Sequence, residues 1–189
     1  MLPRRSSRSL RRALLGAILV LAVPAVALAQ TYWTVPQVLK SFFATSTKVG
    51  NRRITLPEKK ATEIAKKLGV PSIKKDWLVY VGNPEGDRSG YAIVDDEVGM
   101  HEPIDYAVQF SPKGVVERVE ILVYREPFGD EVRHERFRNQ FKGKKPTDPI
   151  TPGKDIDIIS GASISSKSIA LGVKRDTLVL EAALSSGSL

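Results

Sequence analysis

The segment Ser160-Gly161-Ala162-Ser163-Ile164-Ser165, continued by Ser166 and Lys167, gathers hydroxyl and small residues just ahead of an apolar helical pattern. Backbone N–H groups at a helix start have no partners of their own and together carry about half a unit of positive charge. A glycine there lets a ligand approach the backbone and hydroxyls add donors, so such a turn suits a phosphate. The same residues also suit a plain helix cap, with one hydroxyl closing the helix end. Residue chemistry alone leaves both readings open. Three sharper enzymatic patterns fail on spacing. A phosphate-binding P-loop needs a glycine directly before Lys167, where Ser166 stands. An S-x-x-K serine enzyme needs a serine where Ile164 stands, and a G-x-S-x-G elbow needs a glycine where Ser165 stands.

The elements that must hold this turn can be read from periodicity. Thr34-Val-Pro-Gln37 is a capping-box pattern followed by Val35, Val38, Leu39 and Phe42 at helical spacing. Thr55-Leu-Pro-Glu58 repeats the signal ahead of Ala61, Ile64, Ala65 and Leu68, with Gly69 and Pro71 as stop signals and four lysines on the outer face. Strands are expected over 77–81, 90–94, 104–110 and 115–124, the third with clean alternation and the last alternating only in part. Residues 130–141 read as one helix with Val132, Phe137 and Phe141 inward, and 143–153 as a loop. A helical stripe of Ile169, Val173, Leu180 and Leu184 follows the serine turn. The expected class is α+β, an antiparallel sheet of about four strands with flanking helices.

Composition narrows the chemistry. Residues 1–29 carry five arginines, an apolar run from Ala13 to Ala27 and a small-x-small site at Ala27-Leu28-Ala29, the plan of a secretory signal peptide. Without that segment the chain holds 24 basic against 21 acidic residues, so the formal charge of +8 reflects the leader and gives no argument for nucleic acid. Zero cysteines exclude disulfides, thiolate metal sites and cysteine-held haem or iron–sulfur clusters. His101 and His134, the two histidines, have no ligand spacing, and no metal site is expected. A redox role would need an organic cofactor.

The serine segment resembles the [Ser/Thr]-Gly-Ala-[Ser/Thr]-x-[Ser/Thr] signature of the FMN-binding domain family, which includes flavin-bearing peripheral subunits of the sodium-pumping NADH:quinone oxidoreductase and the Rnf complex. Gly90-Tyr-Ala-Ile-Val, Gly99-Met-His-Glu-Pro-Ile104, Gly114-Val-Val-Glu-Arg-Val and Tyr124-Arg-Glu126 are similar to the family's sheet, and Glu126-Pro127-Phe128-Gly129 occupies the place of a loop expected near the flavin. The resemblance implies FMN attached by a phosphoester to Ser165, or else Ser163, placed there by a flavin transferase. Serine at both positions departs from the more usual threonine. It also implies Ser160, Gly161, Ala162, Ile164, Ser166, Lys167, Glu126, Gly129 and His101 as surrounding residues.

The division expected is a leader over 1–29, a helical segment over 30–75 and an FMN-binding domain over 76–185. The function implied is an exported electron carrier, periplasmic or on the outer face of the membrane, working with a membrane redox partner. No residue set reads as a substrate-turnover site. The alternative is a cofactor-free periplasmic binding or assembly module of the same fold. Among secondary candidates, Asp155 and Asp157 suit either a plain loop or transferase recognition, and Lys167 is favoured over Lys174 for contact with a phosphate. Trp77 and Tyr80 fit the core better than flavin stacking.

Overall fold

Alternating apolar residues from Trp77 onward build the centre of an antiparallel sheet in the computed structural model, which describes residues 29–189; the expected leader lies outside the described residues apart from Ala29. The strands are β1 (Gln30–Thr31), β2 (Val49–Thr55), β3 (Asp76–Gly82), β4 (Gly90–Val98), β5 (Pro103–Phe110) and β6 (Val116–Tyr124), in the order β1-β6-β5-β4-β3-β2. Every neighbouring pair is antiparallel. The sheet therefore has six strands where about four were expected. Both additional strands come from the segment 30–75, which joins the sheet and is not purely helical. Only Ile54 of β2 is buried, because β2 is an edge strand with polar residues outward, and β1 has two residues; neither leaves an alternating signature.

Helices cover both faces. Helix α1 (Val35–Phe42) lies on one face, packing Val38, Phe42 and the following Phe43 against Ala92, Ala107 and Leu122. Helices α2 (Glu58–Leu68) and α4 (Ser163–Ser185) cover the other, over Trp77, Val79, Ile93, Tyr106, Val108 and Ile121. Trp77 is core, as its strand pattern indicates, and Tyr80 packs against the α1 side. Burying these apolar side chains supplies the main driving force, about 1.5–3 kcal/mol for each large one.

The two capping-box patterns have different outcomes. At Thr34 the box is complete: Gln37 N–H donates to Thr34 Oγ1 at 3.4 Å and Thr34 N–H donates to Gln37 Oε1 at 2.9 Å. Thr55 is instead the last residue of β2 and its hydroxyl donates to Asp76 Oδ1 at 2.6 Å, while α2 starts behind Pro57 without a side-chain cap. Gly69 ends α2 in the left-handed conformation (φ 71°), as its type suggests.

Residues 130–141 form three short turns where one helix was expected: 3₁₀ turns over Asp130–Arg133 and Asn139–Phe141 flank α3 (Glu135–Arg138). Extended His134 (ψ 142°) breaks the run, and the three-turn path still buries Val132, Phe137 and Phe141. Phe137 and Phe141 meet edge to face at 5.3 Å between centroids.

Strand β6 explains its own imperfect alternation. Its register against β5 shifts between the pairs Asp105–Val123 and Tyr106–Ile121, and again between Gln109–Arg118 and Phe110–Val116. Each irregularity inserts one residue and flips the side chains beyond it to the other face. The first returns Tyr124 to the α4 side of the sheet, alongside Ile121 and Val119.

Helix α4 crosses that side closely because Gly172 has no side chain; a Cβ there would collide with the Tyr106 hydroxyl. Beyond it lies a polar cluster. Arg175 pairs with Asp95 at 2.5 Å and with Glu97, and it approaches the Tyr106 hydroxyl at 3.2 Å. The neighbouring Asp176 is fully buried and neither carboxyl oxygen has a hydrogen-bond partner. Burial first, and then the Asp95 charge, push the Asp176 carboxyl far above the usual range, so it holds its proton.

Candidate functional site

The serine turn heads α4, a helix of 23 residues. The N-cap is Ala162, which offers no side-chain oxygen, and the first turn contains no acidic residue. Ser166 N–H makes the first helical bond, to Ala162 C=O at 2.8 Å, so the preceding amides at the helix head have no helical acceptor. A cap by serine side chains does not form. What stands there is a helix start with unpaired amides and no acidic residue in its own first turn, an arrangement that favours an anion.

The candidate residues divide by direction. Ser160, Gly161, Ser163, Ile164 and Lys167 are exposed, with Gly161 in the left-handed region (φ 88°) that opens the turn. Ala162 is buried. Ser166 is fully buried and its hydroxyl accepts from Ile159 N–H at 3.3 Å, which fixes the chain entering the turn. Ser165 is also buried, at 3% exposure, and its hydroxyl meets the Tyr124 hydroxyl at 2.8 Å. Tyr124 has one phenolic hydrogen and gives it to Phe128 C=O at 2.6 Å, so Ser165 is the donor to Tyr124. Burial pushes the Tyr124 phenol up, against the lowering effect of the Ser165 hydroxyl.

Gly129 closes this arrangement from above. With φ 97° it adopts a conformation suited to glycine, and a Cβ there would lie 2.5 Å from the Tyr124 oxygen and 2.7 Å from Ser165 Oγ. Glu126 joins a second loop to the first: its Oε1 accepts from His101 N–H at 2.6 Å and Glu102 N–H at 3.0 Å. His101 thus contributes its backbone here, and its exposed ring has no such fixed role. Ser168 completes the connection by donating to Val98 C=O at 2.7 Å. The expected residues His101, Glu126, Gly129 and 160–167 therefore come together at one end of the sheet.

Several participants were not singled out by sequence. Glu131 lies beside the turn, with Oε1 3.8 Å from the position of a Cβ on Gly161, and its Oε2 is buried without a donor. Val98 at the end of β4 and Met100, Phe128 and Ile158 in the adjoining loops are exposed apolar side chains, as is the expected Ile164; Phe128 is 81% exposed. A signal for them existed only in their being apolar within loop segments.

Other candidates are placed elsewhere. Lys174 donates to Pro146 C=O at 2.8 Å and to Asp148 C=O, holding the 143–153 loop away from the first turn. Asp155 accepts from Lys144 Nζ at 2.7 Å and from the amides of Thr151 (2.7 Å) and Ile150 (3.1 Å). Burial opposes its charge, but these donors prevail and hold the carboxyl below its usual range. Asp155 is thus committed to the loop, whereas Asp157 is exposed with its amide bonded to Gln140 at 2.6 Å. His134 is exposed. A groove of about 760 Å³, lined by Leu39, Phe43, Val49 and Tyr80 among others, lies on the α1 side and shares no residue with the turn. Among the described residues there is no cluster of three or more His, Asp or Glu fit for a metal, and no helix is long and apolar enough to cross a membrane.

Residues 99–176 match the sequence model of the FMN-binding domain family. A component of the proton-translocating ferredoxin:NAD(+) oxidoreductase complex of Clostridium ljungdahlii is 32% identical over 109 residues, covering 53% of this chain and 57% of that protein. The match thus spans little more than half of that relative's length. The crystal structure of NqrC from Shewanella oneidensis shares the fold, with a TM-score of 0.52 at 17% identity over 77% of this chain and 88% of that one. The region matched to the family model, residues 99–176, contains both tied loops and the serine turn.

Proposed function

We propose that the chain is an electron-transfer flavoprotein whose FMN is attached covalently, through a phosphoester, to Ser165. One observation carries the reading: the helix head of α4 has unpaired amides and no side-chain cap, and it lies inside the segment matched to the FMN-binding domain family. The residues fit the group at each of its parts. The amides of the first turn and Lys167 suit the phosphate, with the helix dipole contributing about 0.3–1 kcal/mol. The orphaned Glu131 oxygen is an acceptor for a ribityl hydroxyl. Phe128, Met100, Val98 and Ile164 offer apolar surface for the ring system.

FMN supplies the electron-accepting and electron-donating chemistry, and the chain supplies attachment, orientation and the electrostatic surroundings. Attachment would be made by a flavin transferase acting on FAD: the Ser165 Oγ–P bond forms, the pyrophosphate linkage breaks, AMP leaves with the bridging oxygen, and the serine proton is released. Ser163 is the second acceptor, favoured by its exposure at the first position of α4. The arginine-rich, apolar leader pattern supports export, and the Clostridium relative, named as part of an oxidoreductase complex, supports a membrane redox partner. A covalent tether suits a carrier working where it meets no free FMN.

The test is to produce the chain with and without a flavin transferase and to run each sample on a denaturing gel. Flavin fluorescence that stays with the band only when the transferase is present is the expected result. A colourless band beside a fluorescent control substrate overturns the proposal and leaves the cofactor-free module.

A further inference from the structure

Formal charge is divided unevenly along the chain behind the leader. Residues 40–75 hold ten basic residues against two acidic ones, or +8, whereas residues 76–189 hold 14 basic against 19 acidic, or −5. The basic segment forms one edge of the molecule. Strand β2 ends the sheet, α2 follows it, and Lys40 in the last turn of α1 borders the same groove as Val49 and Asn51 of β2. All ten basic residues are exposed. Four are paired: Lys48 with Glu85, Lys60 with Glu63, Lys74 with Asp95 and Lys75 with Glu58. Lys40, Arg52, Arg53, Lys59, Lys66 and Lys67 have no ion-pair partner among the described residues. Because α2 buries Ala61, Ile64 and Ala65, Lys59 and Lys66 share its outward stripe. Charges on an edge strand discourage pairing with other chains, which accounts for Arg52 and Arg53 but not for the helix lysines.

We infer that this edge docks on an anionic lipid bilayer. The basic groups are spread along a strand and a helix and do not converge on one point, which suits phosphate headgroups that move laterally. Eight of the ten are lysines, which protein interfaces disfavour and which need no fixed carboxylate geometry. The surface that attracts this edge repels the acidic remainder of the chain, so one orientation is selected. The inference goes beyond the flavin reading and does not depend on it.

The test is co-sedimentation of the full chain, made without a flavin transferase, with phosphatidylcholine vesicles containing about one-third phosphatidylglycerol. Lys59→Gln with Lys66→Gln removes two unpaired charges from the edge. Lys113→Gln with Lys154→Gln removes the same charge from exposed positions of the acidic remainder. The leader is common to all three chains, so its five arginines cancel in the ratios. At low salt the edge variant should partition less than the parent by about fivefold for each lysine lost, and the control by less than about twofold in all. The parent-to-variant ratio should fall towards one on pure phosphatidylcholine and at about 0.5 M salt. Equal losses in both variants would reduce the effect to net charge and overturn the docking edge, as would no loss in either. Salt-reversible self-association of the chain without vesicles, abolished by the edge variant and accompanied by no vesicle binding, would give the edge to the acidic remainder of a second copy and overturn lipid docking. A chain that takes up no flavin leaves this result standing, and a chain that binds no vesicles leaves the flavin reading standing.

Discussion

Tyr124 and Ser165, separated by 41 positions in sequence, share a 2.8 Å hydrogen bond beneath the backbone of Gly129. The end of β6 is thereby connected to the head of the last helix, and the loop between β6 and the 3₁₀ turn is seated on both. The serine turn is thus backed by a preformed support, with its exposed residues facing outward and its buried ones fixed.

The seat predicts a high cost for any side chain at position 129. Gly129→Ala places a methyl against two hydroxyl oxygens at a φ that alanine avoids, and should lower unfolding stability by about 1–3 kcal/mol. Urea denaturation monitored by far-ultraviolet circular dichroism measures this; an unchanged midpoint would contradict the close approach.

The two capping-box patterns make a paired test. Thr34→Ala removes a formed cap and should cost about 1 kcal/mol. Thr55→Ala removes only an exposed bond to Asp76 and should cost within about 0.5 kcal/mol. Denaturation of the two variants side by side gives the comparison, and equal losses would contradict the assignment of Thr55 to the strand.

This pair also shows how much of the fold was legible in the sequence. Local patterns located both helices, but Thr-x-Pro-Glu carries the same local signal whether its threonine caps a helix or ends a strand. Central strands were readable because each buries alternate residues, whereas β2 has only Ile54 inward and needed its partner β3 to become visible. The site divides in the same way. Residues 160–167 stand out by composition, and His101, Glu126 and Gly129 by resemblance. Tyr124 stood in a block read only as sheet, because simple alternation from Ile121 turns it away from α4; the register shift that brings it back depends on pairing with β5. Glu131 is recognisable only from its orphaned oxygen.

Asp176 gives a pH-dependent prediction. Its folded carboxyl titrates well above its unfolded value, so between those values the folded state holds the extra proton and stability falls as pH rises. Asp176→Asn removes this dependence. It should be more stable than the parent at pH 7, with the gain shrinking towards pH 4. Thermal unfolding across pH 4–8 provides the measurement; a gain constant with pH would contradict a protonated Asp176.

The central claim is the phosphoester at Ser165, and intact mass followed by peptide mapping tests it most directly. Chain produced with an active flavin transferase should gain the mass of one FMN less one water, located on the peptide containing residues 160–167, and Ser165→Ala should abolish the gain while Ser163→Ala retains it. An increment that survives Ser165→Ala and disappears in Ser163→Ala would move the attachment to the exposed serine. An unmodified mass beside a modified control substrate would contradict the flavin carrier altogether.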